Sequence, residues 1–378
     1  MRIAVFGGAF NPVHREHIHL ARLAVKELKL DKIIIMPSAI SPHKSGKLSV
    51  DFWHRYECCR IAFADIPQAV VSNYELTKGG VSYTYLTCEH IASQYPDAER
   101  FLIIGGDMLA NFPHWKNPEK ILSLFTLAAC AREEKQSFKL AKQRVEDRFN
   151  CKVATIHFVG EKVSSTEVRT LAALDEDFSG YVPKRVCQYI KDNRLYVMGD
   201  IIPVREMLTR SRWEHTLRVA KMCAENSSRV GLEERRAIIM AALHDCAKCL
   251  PWDSPLLSGF TCPEGTTGPV VHQYSGAYVA EHTFNISDQL ILDAIKYHTT
   301  GRANMTDAGI LLYLCDMLEE SRNFDGVDFL RGLFKEDLHL CFKEALYHQV
   351  LYLQSSQANI DALTLTAYEW IKNKLTKE

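Results

Sequence analysis

Gly7-Gly8-Ala9-Phe10-Asn11-Pro12-Val13-His14-Arg15-Glu16-His17 follows a hydrophobic run, Ile3 to Phe6, and precedes Ile18 to Leu28, whose apolar positions recur at helical spacing. The run reads as a buried parallel strand, so the stretch is strand, glycine turn, helix. Glycines let a backbone approach a ligand closely, and a helix N-terminus presents free N–H groups and partial positive charge to an anion. The place is suited to phosphate. His14 and His17, three apart, share one face of the first helical turn, where they can donate to phosphoryl oxygens as charge accumulates in a transition state.

Working outward, Lys32 to Pro37 reads as a second buried strand with Ser41-Pro42-His43-Lys44 as the loop at its carboxyl end. Ligands of open α/β sheets sit at those ends, which makes Lys44 a phosphate candidate. Phe52 to Ala64 has helical periodicity and carries Arg55, Val70 to Leu76 reads as a strand, and Ser82-Tyr83-Thr84 opens a helix running through Gln94. Phe101 to Ile104 is the clearest central strand and delivers Gly105-Gly106-Asp107 to the ligand edge. Strand and helix alternate at crossover spacing, so the first half is an α/β doubly wound parallel sheet, Rossmann-like. Farther on, Ser164-Ser165-Thr166 caps a helix start, with the fork-shaped guanidinium of Arg169 one turn away.

These blocks resemble the nucleotidyltransferase superfamily, and within it the bacterial nicotinate-nucleotide adenylyltransferases. The resemblance rests on the opening motif, Pro42-His43-Lys44, Ser82-Tyr83-Thr84, Gly105 to Leu109, Trp115, Val163 to Arg169 and the closing stretch Val182 to Tyr196, over roughly the first 197 residues. It implies adenylyl transfer from ATP, accompanied by magnesium, to nicotinate mononucleotide, with deamido-NAD and pyrophosphate as products. By the same resemblance His14 and His17 contact the phosphates, and Lys44, Ser165 and Arg169 hold the β and γ groups. Asp107 meets the adenosine ribose and Trp115 the pyridine ring, and Gly7, Gly8, Phe10, Thr84, Gly106, Ser164 and Thr166 complete the nucleotide site. Glu16 departs from the pattern, since the family has glycine there. A carboxylate on the phosphate side is expected to weaken ATP use, and one turned to solvent or paired with Arg15 is not.

The chain has 378 residues, enough for two domains, is 47% hydrophobic and carries a formal charge of −1. There is thus no bulk field for nucleic acid or an anionic membrane, and any anion must be held locally. No apolar run approaches the ~20 residues of a membrane span and Met1-Arg2 leads directly into a strand, so the expectation is a cytoplasmic protein acting on small nucleotides, with no nucleic-acid or membrane partner and the homo-oligomeric state open. Twelve scattered cysteines are expected to be mostly reduced core residues. Cys246 and Cys249 have Cys-x-x-Cys spacing but lack the partners of a zinc or thioredoxin-like site.

The β/α alternation stops near Arg194, and helical spacing dominates from Trp213. The expected division is a transferase domain over 1–197, a linker over 198–209 containing Gly199 and Pro203, and an all-α domain over 210–378. Its chemistry centres on the apolar helix Ala237 to Leu243, which ends in His244-Asp245. Two polar groups carried into a core are costly unless hydrogen-bonded or bound to metal. His215, His272, His298 and Asp316, the last inside the apolar run Ile310 to Leu318, supply further candidates.

His244-Asp245-Cys246-Ala247-Lys248 and Tyr297-His298-Thr299-Thr300-Gly301-Arg302 resemble the HD superfamily of metal-dependent phosphohydrolases, in particular the bacterial symmetrical diadenosine tetraphosphatases. The resemblance implies that His215, His244, Asp245, His272, His298 and Asp316 bind two metal ions, usually iron, that Asp245 and Lys248 serve the reaction, and that diadenosine tetraphosphate yields two ADP. Four histidines and two carboxylates suit a borderline metal such as iron, manganese or zinc better than a magnesium-only oxygen cage. Two metals about 3.5–4 Å apart would activate a bridging water. The rival readings are a hydrolase with a weak or inactive transferase domain, and a nucleotide-sensing regulatory protein that turns nothing over.

Overall fold

The computed structural model describes residues 1–39, 48–132, 136–161 and 163–376. Lys44 lies outside the described residues. The chain forms two compact units: the first runs from Met1 to Tyr196, except that Leu48 and Ala173–Glu176 belong to the second, which takes in Val197 onward.

In the first unit six strands, β1 (Arg2–Gly8), β2 (Lys32–Pro37), β3 (Ala69–Val71), β4 (Glu99–Gly105), β5 (Thr126–Arg132) and β6 (Ala154–Phe158), make one parallel sheet in the order β3-β2-β1-β4-β5-β6. Ile3, Ala4 and Val5 of β1 and Ile33 to Met36 of β2 are buried, as an apolar run covered on both faces requires. Sequence order reverses between β1 and β4, which pair with Phe6 opposite Ile103. Ligands of such sheets sit at the carboxyl ends of the strands flanking that reversal. The Gly7–His17 stretch leaves β1 there, and Gly106–Asn111 begins a short helix directly after β4.

The turn after β1 is buried, and buried carbonyls need donors. Arg55, from the helix Phe52–Phe63, donates Nη1 to the Ala9 carbonyl at 2.7 Å. Arg169, in the helix Ser165–Ala173, donates to the Asn11 carbonyl and, through Nη2, to the Thr166 hydroxyl at 2.9 Å. Ser165 Oγ donates to the Pro12 carbonyl at 2.9 Å, and the Tyr196 hydroxyl to Asn11 Oδ1 at 2.9 Å. Phe10 lies at φ +45°, a conformation that a bulky residue adopts at a cost. Its ring packs edge-on against Phe6, His17 and Phe63, with centroids 5.0–6.1 Å away, and burying a phenyl ring contributes about 1.5–3 kcal/mol.

Two expectations need correction here. The strand read from Val70 to Leu76 stops at Val71, and Tyr74–Lys78 is a short helix. The helical turn carries Glu75 inward, where Thr87 Oγ1 donates to it at 2.9 Å. The stretch read as a linker, 198–209, contains a 3-10 helix, Gly199–Met207, whose Ile201 and Val204 are buried in the core of the second unit. Apolar side chains at that spacing dock instead of spanning solvent.

The second unit is helical. Arg210–Asn226, Glu234–Leu243, Val271–His282, Gln289–Lys296 and Asp307–Leu318 surround one core, with Val327–Glu336, Leu338–Ser355 and Ala362–Leu375 following. Asp307–Leu318 is buried on nearly every side, as its almost uninterrupted apolar sequence dictates. Thr209, Asp288, Thr306, Asp337 and Asp361 cap five of these helices through their side chains. Among the described residues no helix is long and apolar enough to cross a membrane.

Because Arg55 is the donor to the Ala9 carbonyl inside the fold, Arg55→Met is expected to destabilise the first unit by about 1–3 kcal/mol, the cost of a buried acceptor left unpaired. Denaturant unfolding of variant and parent measures this, and coincident midpoints would refute it.

Candidate active sites

Two cavities open at the strand ends of the first unit. One, of about 300 Å³, is lined by Gly7, Gly8, Tyr83, Thr84, Trp115 and Lys116 among others. Lys116 holds its ammonium 4.3 Å from the Tyr83 ring centroid, and the Trp115 indole lies 5.3 Å from the buried Phe112 ring. The pocket therefore has an aromatic wall beside a cation. The other cavity, of about 670 Å³, is lined by His14, Glu16, His17, Gly106, Asp107 and Phe158 among others. His14 and His17 stand with ring centroids 3.7 Å apart, and the His14 backbone N–H donates to His17 Nδ1 at 3.2 Å. Gly106 sits where a Cβ would come within 3.2 Å of the Cys130 carbonyl and 3.3 Å of the Phe138 ring, so a side chain there would push its neighbours by a few tenths of an ångström.

Of the residues read from the sequence, Gly7, Gly8, Thr84 and Trp115 line the first cavity, and His14, His17, Gly106 and Asp107 the second. Five others are placed differently. Phe10 is core, beneath Gly8. Ser165, Thr166 and Arg169 line neither cavity; Arg169 is buried, and its guanidinium and the Ser165 hydroxyl donate to the turn carbonyls of Asn11 and Pro12. Ser164 accepts the Glu167 backbone N–H at 3.1 Å, a helix cap. From the sequence Arg55 is placed on its helix and Tyr196 at the end of the closing stretch, neither with a role; their burial is visible only in the structure.

Glu16 is 7% exposed and faces the second cavity. Its Oε2 has no hydrogen-bond partner among the described residues, and a Cβ on Gly160 would lie 1.8 Å from it. Arg15 does not pair with it: that guanidinium donates to the Ser179 carbonyl at 3.2 Å. The carboxylate faces the cavity that His14 and His17 line.

In the second unit all six expected ligands converge. His215, His244 and Asp316 bring ligand atoms within 4.8 Å of one another, as do His244, Asp245 and His298. His272 Nε2 lies 3.2 Å from His298 Nε2 and 3.5 Å from Asp245 Oδ1. His244, His272 and His298 use one local device: each Nδ1 donates to the carbonyl three residues back, Ala241, Pro269 and Ile295, at 2.7, 2.9 and 2.7 Å. A carbonyl can only accept, so each Nδ1 carries hydrogen and each Nε2 of a neutral ring presents a lone pair. Burial pushes His244 down to about 4 and His272 to about 3, so both rings are neutral at pH 7.

Lone pairs thus face a carboxylate. His244 Nε2 and Asp245 Oδ1 are buried without hydrogen bonds. Burial alone would raise the Asp245 pKa, yet it is held well below the usual carboxylate range, and with the His244 ring neutral the cations paired with it are Lys248 and Arg212. His272 Nε2 also accepts from Thr299 Oγ1 at 3.1 Å, whereas the unpartnered His244 Nε2 and Asp245 Oδ1 fit a divalent cation. The donor set, imidazole and carboxylate, suits a borderline transition metal.

A second tier orients the ligands. Glu319, 2% exposed, meets His215 Nδ1 at 3.1 Å, while His215 Nε2 lies 2.9 Å from Asp316 Oδ1. Glu319 also takes Arg218 Nε at 2.8 Å. Arg212 and Lys248 pair with Asp245 at 3.0 and 3.2 Å, and Arg322 with Asp316 at 2.7 Å. Of these, only Lys248 was legible in advance; Arg212 lies one helical turn before His215, which was the missed signal. Two cavities reach the cluster and share no lining residue. One, of about 270 Å³, includes Lys248, Trp252, Pro269 and His272; the other, of about 210 Å³, includes His298, Tyr313, Asp316, Arg322 and Phe324. Cys246 is buried with its thiol against the Gly276 carbonyl and Cys249 is exposed, so the pair shares no site.

A cytidylyltransferase-like family model matches residues 5–171, and an HD domain model matches residues 212–321. A protein of Mycoplasma genitalium named "Probable nicotinate-nucleotide adenylyltransferase/Ap4A hydrolase" is 28% identical over 364 residues, which cover 94% of this chain and 98% of that protein. The protein of the same name from Mycoplasma pneumoniae is 27% identical over 363 residues, 94% of this chain and 100% of that one. A "Probable nicotinate-nucleotide adenylyltransferase" of Clostridium botulinum is 35% identical over 197 residues, 52% of this chain and 98% of that protein. The chain belongs to the nicotinate-nucleotide adenylyltransferase family and carries an HD domain after its transferase-like unit.

If the six side chains hold metal, Asp245→Ala is expected to strip most divalent metal from the chain, because the remaining histidines lose the carboxylate they share. Elemental analysis after dialysis checks this. A variant that kept the parental metal content would remove the cluster from consideration.

Proposed function

We propose that the first unit transfers the adenylyl group of ATP to nicotinate mononucleotide, and that the second hydrolyses diadenosine tetraphosphate to two ADP. For the transferase, the supporting observation is the pair of adjoining cavities at the sheet reversal, one with histidines and Asp107, the other with Trp115. A nucleotide phosphate attacks the α-phosphorus in line and pyrophosphate leaves, so no protein nucleophile is required. His14 and His17 donate to the triphosphate, Asp107 accepts from the ribose, and Trp115 packs on the pyridine ring. Ser165 and Arg169 act by fixing the turn that carries the histidines. Magnesium accompanies ATP and offsets its charge.

For the hydrolase, the observation that carries the reading is three imidazole lone pairs converging on Asp245 with His215 and Asp316 alongside. These six residues would hold the metal ions; the donor set suits iron, manganese or zinc, and the resemblance to the HD phosphohydrolases favours iron. When bound, such ions supply a water activated for attack and neutralise charge on the phosphoryl group. Lys248, Arg212 and Arg322 retain N–H groups beyond those bonded to the ligand carboxylates and can hold the flanking phosphates. Two separate cavities at one centre favour a substrate with an arm on each side, which supports release of two ADP.

The assay is separate incubation with nicotinate mononucleotide plus ATP, and with diadenosine tetraphosphate plus iron or manganese. The expected products are deamido-NAD in the first and ADP alone in the second. ATP and AMP as main products would overturn symmetrical cleavage, and no turnover in either incubation would leave a nucleotide sensor. Asp245→Ala is expected to abolish hydrolysis and keep transfer within a few-fold of the parent.

Glu16 sets a further expectation. At an assumed separation of ~5 Å and effective dielectric of ~20, its carboxylate repels one phosphate charge by about 3 kcal/mol, roughly a hundredfold, against about 0.3–1 kcal/mol gained from the helix dipole. Glu16→Gly and the isosteric Glu16→Gln are expected to raise transferase kcat/KM for ATP at least several-fold and leave the hydrolase unchanged. A fall in both variants would give the carboxylate an active part in binding.

A further inference from the structure

The cavity that reaches the metal-ligand cluster through Lys248 and His272 has both polar and apolar walls. The Lys248 ammonium lies 3.2 Å from Asp245 Oδ1, and His272 Nε2 lies 3.5 Å from the same oxygen. The apolar walls are Leu250, Leu257, Pro269 and Val271, with Trp252. Trp252 is 73% exposed. A singly exposed apolar residue is ordinary, so the exposure itself decides nothing. Its position does.

Trp252 sits in a tight turn, with the Ser254 N–H donating to the Pro251 carbonyl at 3.0 Å. Both flanks of the turn are tied down. On one side the Leu250 N–H donates to the Ala247 carbonyl at 3.2 Å. On the other, Ser254 Oγ caps the short helix Pro255–Leu257, whose Leu257 is buried. The indole is therefore presented by an anchored turn, four residues past Lys248, on the wall of a cavity that Lys248 and His272 also line.

We propose that Trp252 forms a nucleoside subsite of the hydrolase, stacking on one base of the dinucleoside polyphosphate while Lys248 takes the adjoining phosphate; this rests on the hydrolase reading above. An indole offers a large flat face at low entropic cost, and every nucleobase has a face to match. Recognition by stacking reads the face of the base and not its edge. The subsite accordingly accepts adenine and guanine nearly alike, and the indole contributes to binding, not to the chemical step.

The test uses the full metal-loaded chain. Trp252→Ala is expected to raise KM for diadenosine tetraphosphate about tenfold, with kcat within a few-fold, and to do the same for diguanosine tetraphosphate. Trp252→Phe is expected to keep most of the parental KM. Competitive inhibition by inorganic tripolyphosphate, which has no base, should be equal in parent and Trp252→Ala. A readout independent of turnover is quenching of tryptophan fluorescence by ADP: the parent minus Trp252→Phe difference is expected to saturate with ADP. If the parent hydrolyses the dinucleotide and Trp252→Ala leaves KM unchanged, the subsite is overturned and the hydrolase reading stands. If the parent does not hydrolyse it but the quench difference saturates, the substrate assignment fails and the base subsite stands. Absence of a quench difference overturns the subsite in either case.

Discussion

A chain that leaves a buried strand and must turn inside the protein carries its carbonyls with it, and those carbonyls must find donors. In the first unit that requirement falls on Ala9, Asn11 and Pro12, and it is met by Arg55, Arg169 and Ser165, which come from two helices far apart in sequence. The arrangement fixes the backbone that delivers His14 and His17 to the cavity. It also explains why two arginines are buried in a nucleotide-handling domain: burial lowers the pKa of Arg55, and its N–H groups are held by main-chain oxygens. Positive charge in this motif thus serves the framework as well as the ligand.

The second unit solves a similar problem with a different device. Three histidines each sit where a helix ends or begins, and each turns its Nδ1–H onto the carbonyl three residues earlier. The local bond selects the tautomer, and packing of the helices then aims all three Nε2 lone pairs at Asp245. Glu319 orients His215 in the same spirit through a carboxylate. Charge balance around the two ligand carboxylates is maintained by Arg212, Lys248 and Arg322.

Glu16 runs against this economy. It places a carboxylate beside the histidines, in the space where the family pattern has glycine, and Gly160 is the residue that leaves room for it. A carboxylate that faces the cavity beside two histidines and is matched by a neighbouring glycine is integrated into the packing.

The sequence alone determined the two-part organisation, the parallel sheet, the helical second half and the six side chains that converge there, because each is written in local period and spacing: unbroken apolar runs for strands, 3.6-residue recurrence for helices, a polar doublet closing an apolar helix. It misread Val70 to Leu76 and the stretch 198–209, and passed over β5 and β6, whose Ala-rich and short sequences carry little strand signal. Tertiary structure alone decided that Phe10 is core, that Arg169 and Ser165 hold the turn, that Glu16 faces the cavity, and that Arg55, Arg212, Glu319 and Trp252 matter. The physical reason is the same in each case. Which way a polar side chain turns depends on where the nearest unsatisfied partner lies, and those partners are tens to more than a hundred residues away, as from Arg169 to Asn11 and from Glu319 to His215.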